Sequence, residues 1–279
     1  MSQNYVYTSS KNFELDITTY GNTNLKNSNC IIFAHGFKGF KDWGFIPYFG
    51  KYFSDKGYFV ITFNFSHNGV ATGSKDFDDL DKFANNTLSL EKEELNEIIN
   101  AYKNGFFGEI NSTNKIGLVG HSRGGAISIL ASGSNENIDV LVTWAAISKL
   151  DRFTDRQKIE WKANGFFEVL NSRTNQIMRI NINLLNDIEN FGSTKLNLKT
   201  ALSNFNKPYL IIHGDQDLTV PFDEAEDIYF WSDKSLTELY KIKGAGHTFD
   251  IKHPFESITN AFNLVLEKTN SFFQNHLQS

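Results

Sequence analysis

The chain has 279 residues, 40% hydrophobic and 21% charged, with a formal net charge of −5. That balance predicts a soluble globular protein and gives no electrostatic footing for nucleic acid, since no basic tract acts locally. The single cysteine, Cys30, excludes an internal disulfide, and no apolar run approaches the roughly 20 residues of a membrane helix.

Met1-Ser2-Gln3-Asn4 begins no charged-then-apolar signal, so a reducing cytoplasm is the expected compartment. Cys30 enters an apolar run and reads as core filler. About one residue in nine is Asn, spread along the chain without any low-complexity segment. The four prolines, Pro47, Pro208, Pro221 and Pro254, each precede an apolar or periodic segment.

In chain order, residues 5–20 read as one or two edge strands. Residues 30–34 are continuously apolar, as expected for a strand buried on both faces. A helix is expected over 46–56 and a strand over 58–65. The polar stretch 66–86, with turn signals at Asn68-Gly69 and Gly73-Ser74, should be a loop. Leu90, Leu95, Ile98 and Ile99 on a charged background predict a surface helix over 89–102, capped by Ser89. A strand over 115–119, a tight turn, a helix over 123–131 and a strand over 140–146 follow. Residues 149–205 show several helical patterns and no convincing strand. The sheet resumes at 209–212, with a helix over 221–231, a strand over 239–242 and a final helix over 254–276. Strands alternating with helices indicate one α/β domain whose mostly parallel sheet is flanked by helices. The expected core is residues 1–148 and 206–279, interrupted by a helical insertion at 149–205.

The strongest chemical signal is Gly120-His121-Ser122-Arg123-Gly124-Gly125, a G-x-S-x-G pattern between a buried strand and a helix. A strand turning straight into a helix strains the apex residue, and glycines two before and two after leave it room. Ser122 would then stand at the sheet's carboxyl edge. A serine hydroxyl needs a base, and seven histidines are present. His121 should pack, and His35 and His213 end buried strands and should be structural. His253, just before the final helix, suits a capping or surface role. His247 is favoured, in the glycine-rich Gly244-Ala245-Gly246-His247-Thr248-Phe249 loop after the last strand. The carboxylate that fixes its tautomer is sought in His213-Gly214-Asp215-Gln216-Asp217; Asp217 is favoured, with Asp215 as a turn former. The order Ser122, Asp217, His247 belongs to one fold among the unrelated triads. Glycines in His35-Gly36-Phe37-Lys38-Gly39 would let the amide of Phe37, with that of Arg123, converge on a developing oxyanion. The spacing of His247, Asp250 and His253 fits no common metal motif, so neither metal nor other cofactor is expected.

Together Ala34-His35-Gly36-Phe37, the Ser122 motif, His213-Gly214-Asp215-Gln216-Asp217 with Val220-Pro221, and Gly246-His247-Thr248-Phe249 resemble the α/β-hydrolase superfamily across nearly the whole chain. Within it the chain is similar to bacterial esterases of the dienelactone-hydrolase, cinnamoyl-esterase and serine-aminopeptidase-like groups. The resemblance implies an eight-stranded sheet and a helical cap after the sixth strand, where 149–205 falls. Ser122 departs from dienelactone hydrolases proper, which carry Cys there, and the His-Gly-Gly-Gly loop of some lipases is absent. The implied activity is a serine hydrolase acting on a small carboxylic ester, with a thioester or small peptide as the alternative. A non-catalytic binding protein on the same fold is a further alternative. Trp144, Phe153, Trp161, Phe166 and Phe167 are candidates for an acyl or aromatic pocket, and Arg152, Arg173 and Arg179 for contact with an acidic group. Nothing in the sequence separates a monomer from a homodimer.

Overall fold

Strands whose every residue is buried build the middle of the sheet, which explains why they read as unbroken apolar runs rather than as alternation. A computed structural model describes residues 2–172 and 174–277. In chain order the strands are β1 (Ser2–Thr8), β2 (Glu14–Tyr20), β3 (Cys30–Ala34), β4 (Phe59–Phe63), β5 (Ile116–His121), β6 (Val140–Trp144), β7 (Phe166–Asn171), β8 (Gln176–Asn181), β9 (Tyr209–Gly214) and β10 (Thr237–Ile242). The helices are α1 (Ile46–Asp55), α2 (Leu80–Ala84), α3 (Leu88–Lys103), α4 (Arg123–Ser132), α5 (Asp155–Asn164), α6 (Ile182–Phe191), α7 (Leu198–Asn204), α8 (Phe222–Trp231) and α9 (Asn260–His276).

Eight strands form one sheet in the order β1-β2-β4-β3-β5-β6-β9-β10. The β1–β2 and β2–β4 pairs are antiparallel and the others parallel. This is the α/β-hydrolase architecture expected from the sequence. On one face, Trp144 of β6 packs among Phe33, Phe45, Phe49 and Phe262, tying α1 and α9 to the sheet. Its indole N–H donates to Thr269 of α9 at 3.1 Å. On the other, α4 lies against β3, β5 and β6, with α3 packed on α4. Cys30 is fully buried in β3.

Four local expectations are corrected. Residues 149–205 are not purely helical: Gly165, at φ 79°, ends α5, and β7 and β8 then form an antiparallel hairpin in which Phe166 faces Asn181. The β-favouring run Phe166-Phe167-Glu168-Val169 is too short to show its two-residue period amid flanking helical patterns. The expected loop 66–86 contains α2, begun by an Asp79 side chain that accepts from the Lys82 amide. Thr87 rather than Ser89 caps α3; the Ser89 amide and hydroxyl instead donate to Asp187 of α6. The last helix starts at Asn260 rather than Pro254, because Thr259 takes the Phe262 amide as its cap.

Helix α3 carries two buried carboxylates, Glu91 and Glu94. Glu94 accepts from the Ser66 amide at 3.0 Å and from the Ser66 hydroxyl. Burial pushes its carboxyl up to about 7, outweighing those bonds. A raised acid favours the folded state while protonated, so this contribution is complete below the unfolded value near 4.3 and fades as pH rises through 7. Glu94→Gln should therefore gain thermal stability relative to the parent as pH goes from 5 to 7, by about 3 kcal/mol at most, read from paired melts.

Candidate active site

Strand β5 ends at His121 and α4 begins at Arg123, leaving Ser122 alone at the bend. Its φ of 56° and ψ of −122° are strained for an L-residue, at a cost of roughly 1–3 kcal/mol. Neighbouring backbone holds it there: the Ser122 amide donates to the Trp144 carbonyl at 2.9 Å, and the Ile147 amide donates to the Ser122 carbonyl. A Cβ on Gly120 would strike the Gly124 carbonyl, and one on Gly124 would strike the carbonyls of Ala34 and His35. The Ser122 hydroxyl makes no capping bond to α4 and is left for other partners.

One of those partners is His247. The loop after β10 carries it back across the sheet, with its Nε2 3.0 Å from Ser122 Oγ. Its Nδ1 lies 2.7 Å from Asp217 Oδ2, so the pairing assigns Nδ1–H as donor and Nε2 as acceptor for the serine proton. Asp217, in the loop after β9, accepts the amides of Thr219 at 2.9 Å and Val220 at 2.8 Å through Oδ1. Burial alone would raise its carboxyl, but hydrogen bonds from His213 and His247 prevail and hold it well below the usual carboxylate range. It is therefore an anion against the imidazole.

The other titratable groups take separate roles. Asp215 accepts the Gly244 amide at 2.7 Å, joining the loops after β9 and β10 rather than bonding only within its own turn. His213 Nε2 donates to the Val220 carbonyl at 2.8 Å and lies 3.3 Å from Asp217, a bracing position that a strand-ending histidine did not announce in the sequence. His121 Nε2 donates to the His247 carbonyl at 3.0 Å, and burial lowers its ring to about 3. Burial likewise lowers His35 to about 4. His253 Nδ1 accepts the Gly44 amide at 2.9 Å and its ring stacks on Trp43, away from Ser122. Among the described residues no group of three or more potential ligands could hold a metal.

Two hollows meet at Ser122 and His247. The first, of about 310 Å³, is walled by Leu88, Ile147, Leu150, Phe153, Val169, Ile180, Leu184 and Ile188, with Phe37 and Arg123 at its base. The second, of about 420 Å³, runs past Gly36, Trp43, His121, Ser172 and Thr248 and is more polar. Of the five proposed pocket aromatics, only Phe153 lines the first hollow. Trp144 is sealed in the core below the sheet edge, and Trp161 is fully buried against Phe153 and Phe167. Phe166 lies under the Arg179 guanidinium. The aliphatic wall was missed because β8 was not expected; the i, i+4 pair Leu184 and Ile188 was its one readable sign. Arg152 lines the hollow but is held by Glu224 at 2.6 Å, Arg179 pairs with Glu168, and Arg173 lies outside the described residues.

Residues 49–279 match the Prolyl oligopeptidase family. Among curated proteins none matches the sequence. The solved structure of the α/β hydrolase GrgF from Penicillium sp. superposes with a TM-score of 0.75 at 14% identity, covering 100% of both chains. Est1E from Butyrivibrio proteoclasticus with ferulic acid bound gives 0.75 at 19% identity, over 99% of this chain and 100% of that one. A dienelactone hydrolase from Anabaena variabilis gives 0.64 at 17% identity, over 99% of each. No described helix is long and apolar enough to cross a membrane.

Because a methyl on Gly124 meets backbone rather than a movable side chain, Gly124→Ala should lower urea stability by about 1–3 kcal/mol. An unchanged midpoint would remove the close approach of this bend to β3.

Proposed function

The chain belongs to the prolyl oligopeptidase family, membership that supports hydrolase activity, and we propose that it is a serine hydrolase cleaving a carboxylic ester. The observation that carries this reading is the continuous line from Ser122 Oγ through His247 to Asp217, with separations of 3.0 and 2.7 Å. His247 Nε2 takes the hydroxyl proton as Ser122 Oγ attacks the carbonyl carbon, and the carbonyl π electrons move onto oxygen. The amides of Phe37 and Arg123 receive that oxyanion, a contribution of roughly 3–4 kcal/mol per donor to the transition state. Asp217 holds the imidazolium that results. Collapse expels the alcohol, which leaves with the proton from His247, and the acyl group stays on Ser122. Water, deprotonated by the same imidazole, then releases the acid and restores the hydroxyl.

Segment 149–205 acts in this reading as a cap, since Leu150, Phe153, Val169, Ile180, Leu184 and Ile188 wall the hollow above Ser122. The acyl group it accommodates is uncharged. Arg123 and Arg152 are each cancelled by a carboxylate, and the Lys38 ammonium bonds the Leu170 carbonyl. Ferulic acid on Est1E, an aryl acid, is consistent with such a wall. The family's description favours peptide cleavage as the second reading, but among the described residues lining the hollow there is no carboxylate to bind a free amino terminus.

Ser122→Ala should remove both fluorophosphonate labelling and hydrolysis of p-nitrophenyl butyrate, the latter by about 10⁶ in kcat. Asp217→Asn, which presents an amide to Nδ1, should cost about 10⁴. Turnover at the parent rate in the alanine variant sinks the reading. For the acyl side, kcat/KM on the butyrate should exceed that on the corresponding succinate half-ester at least about tenfold, because both guanidiniums are already paired and the carboxylate would be desolvated against an aliphatic wall. Equal values would show that a charge is accommodated.

A further inference from the structure

The two residues whose amides face the developing oxyanion also touch through their side chains. The Arg123 guanidinium lies 4.5 Å from the Phe37 ring centroid, and Phe37 stacks on Phe83 at 5.5 Å with 28° between planes. Phe37 thus has a cation on one side and an aromatic ring on the other. Arg123 is itself anchored from outside the elbow: its Nη2 donates to Glu91 Oε1 at 2.6 Å. Glu91 stands in the first turn of α3, 2% exposed, and the same oxygen accepts the Asn86 side-chain amide at 2.7 Å. A buried carboxylate bonded to a guanidinium with only 14% of its side chain exposed is costly to leave unpaired on either side.

Resting on the serine-hydrolase reading above, we propose that Glu91 is a positioning residue for the oxyanion hole: through Arg123 it clamps the Phe37 ring and so steadies the Phe37 amide against the donor at the elbow. The elbow alone sets the Arg123 amide, because that residue opens α4. The Phe37 amide lies in a loop beside Lys38, whose φ is 54°, and no regular element restrains it. Its peptide is held at the Gly36 carbonyl, which accepts the Gly39 amide at 3.0 Å and lies 2.9 Å from His35 Nδ1, and at the side chain by the ring, packed against Arg123 and Phe83. An error of about 1 Å at such a donor costs on the order of 100-fold in rate. Replacing Glu91 by a neutral amide leaves the guanidinium without its counter-charge and loosens the clamp. Ser122, His247 and Asp217 keep their mutual bonds, none of which involves α3.

The test uses the full chain and an alkyl fluorophosphonate, whose phosphoryl oxygen needs the same donors whatever the natural substrate. Glu91→Gln should label at least tenfold more slowly than the parent, while the midpoint of its labelling-rate pH profile stays where the parent has it. A rate within twofold of the parent, with Ser122→Ala unlabelled, overturns the clamp and leaves the serine reading standing. A slow rate with a displaced midpoint also overturns it, because Glu91 would then act on the imidazole. Failure of the parent chain itself to label removes the serine reading and this one together. Should Glu91→Gln not melt cooperatively, Phe37→Leu decides. It keeps the amide and loses the ring, so it should show the same slow rate and fixed midpoint; the parent's rate would overturn the proposal.

Discussion

A single imidazole held between a hydroxyl and a carboxylate sets the hardest constraint on this molecule. The three groups hang from three strands that are not all neighbours: β9 and β10 are adjacent, but β6 stands between β9 and β5. At about 4.8 Å per strand, the loop after β10 must bring His247 back over roughly 14 Å of sheet edge to reach Ser122. Three anchors keep it there. Phe249 is sealed beneath the loop against Trp144, the His121 ring donates to the His247 carbonyl, and Asp215 takes the Gly244 amide. Trp144 therefore serves as a post for the loop rather than as a wall for a ligand.

The space around Ser122 is shaped by the cancellation of charge as much as by apolar lining. Each guanidinium that reaches the first hollow arrives with its own carboxylate, Arg123 with Glu91 and Arg152 with Glu224. Such pairs contribute little to net stability, because desolvation offsets their attraction. They nevertheless place planar groups where a hydrocarbon side chain would be mobile, and they cancel two of the cations at the hollow.

The sheet was legible because burial on both faces writes itself as runs of apolar residues, unbroken in 30–34 and interrupted only by Thr143 in 140–144. The bend at Ser122 was legible because its sterics admit almost only glycine at positions 120 and 124. The loops bearing Asp217 and His247 followed from their place after identified strands. Segment 149–205 was not legible: its hairpin strands are six residues each and half exposed, so neither continuous burial nor a long period marks them. Aromatic side chains misled for a related reason. Composition says that Trp144 and Trp161 will be covered, and only the topology says whether by ligand or by protein. Glu91, Arg123 and Phe37 are 32 and 86 residues apart at their successive separations, and no local pattern joins them.

The hairpin of β7 and β8 has an effect beyond its share of the wall. The Lys38 ammonium donates to the Leu170 carbonyl at 3.1 Å, so the strand over the hollow is tethered to the residue next to Phe37. Ser89 and Asp187 make a second stitch, between α3 and α6. On the proposed reading, selectivity and reactivity are consequently not separable modules: grafting a different hairpin to admit a bulkier guest would also retune the machinery that handles its charge.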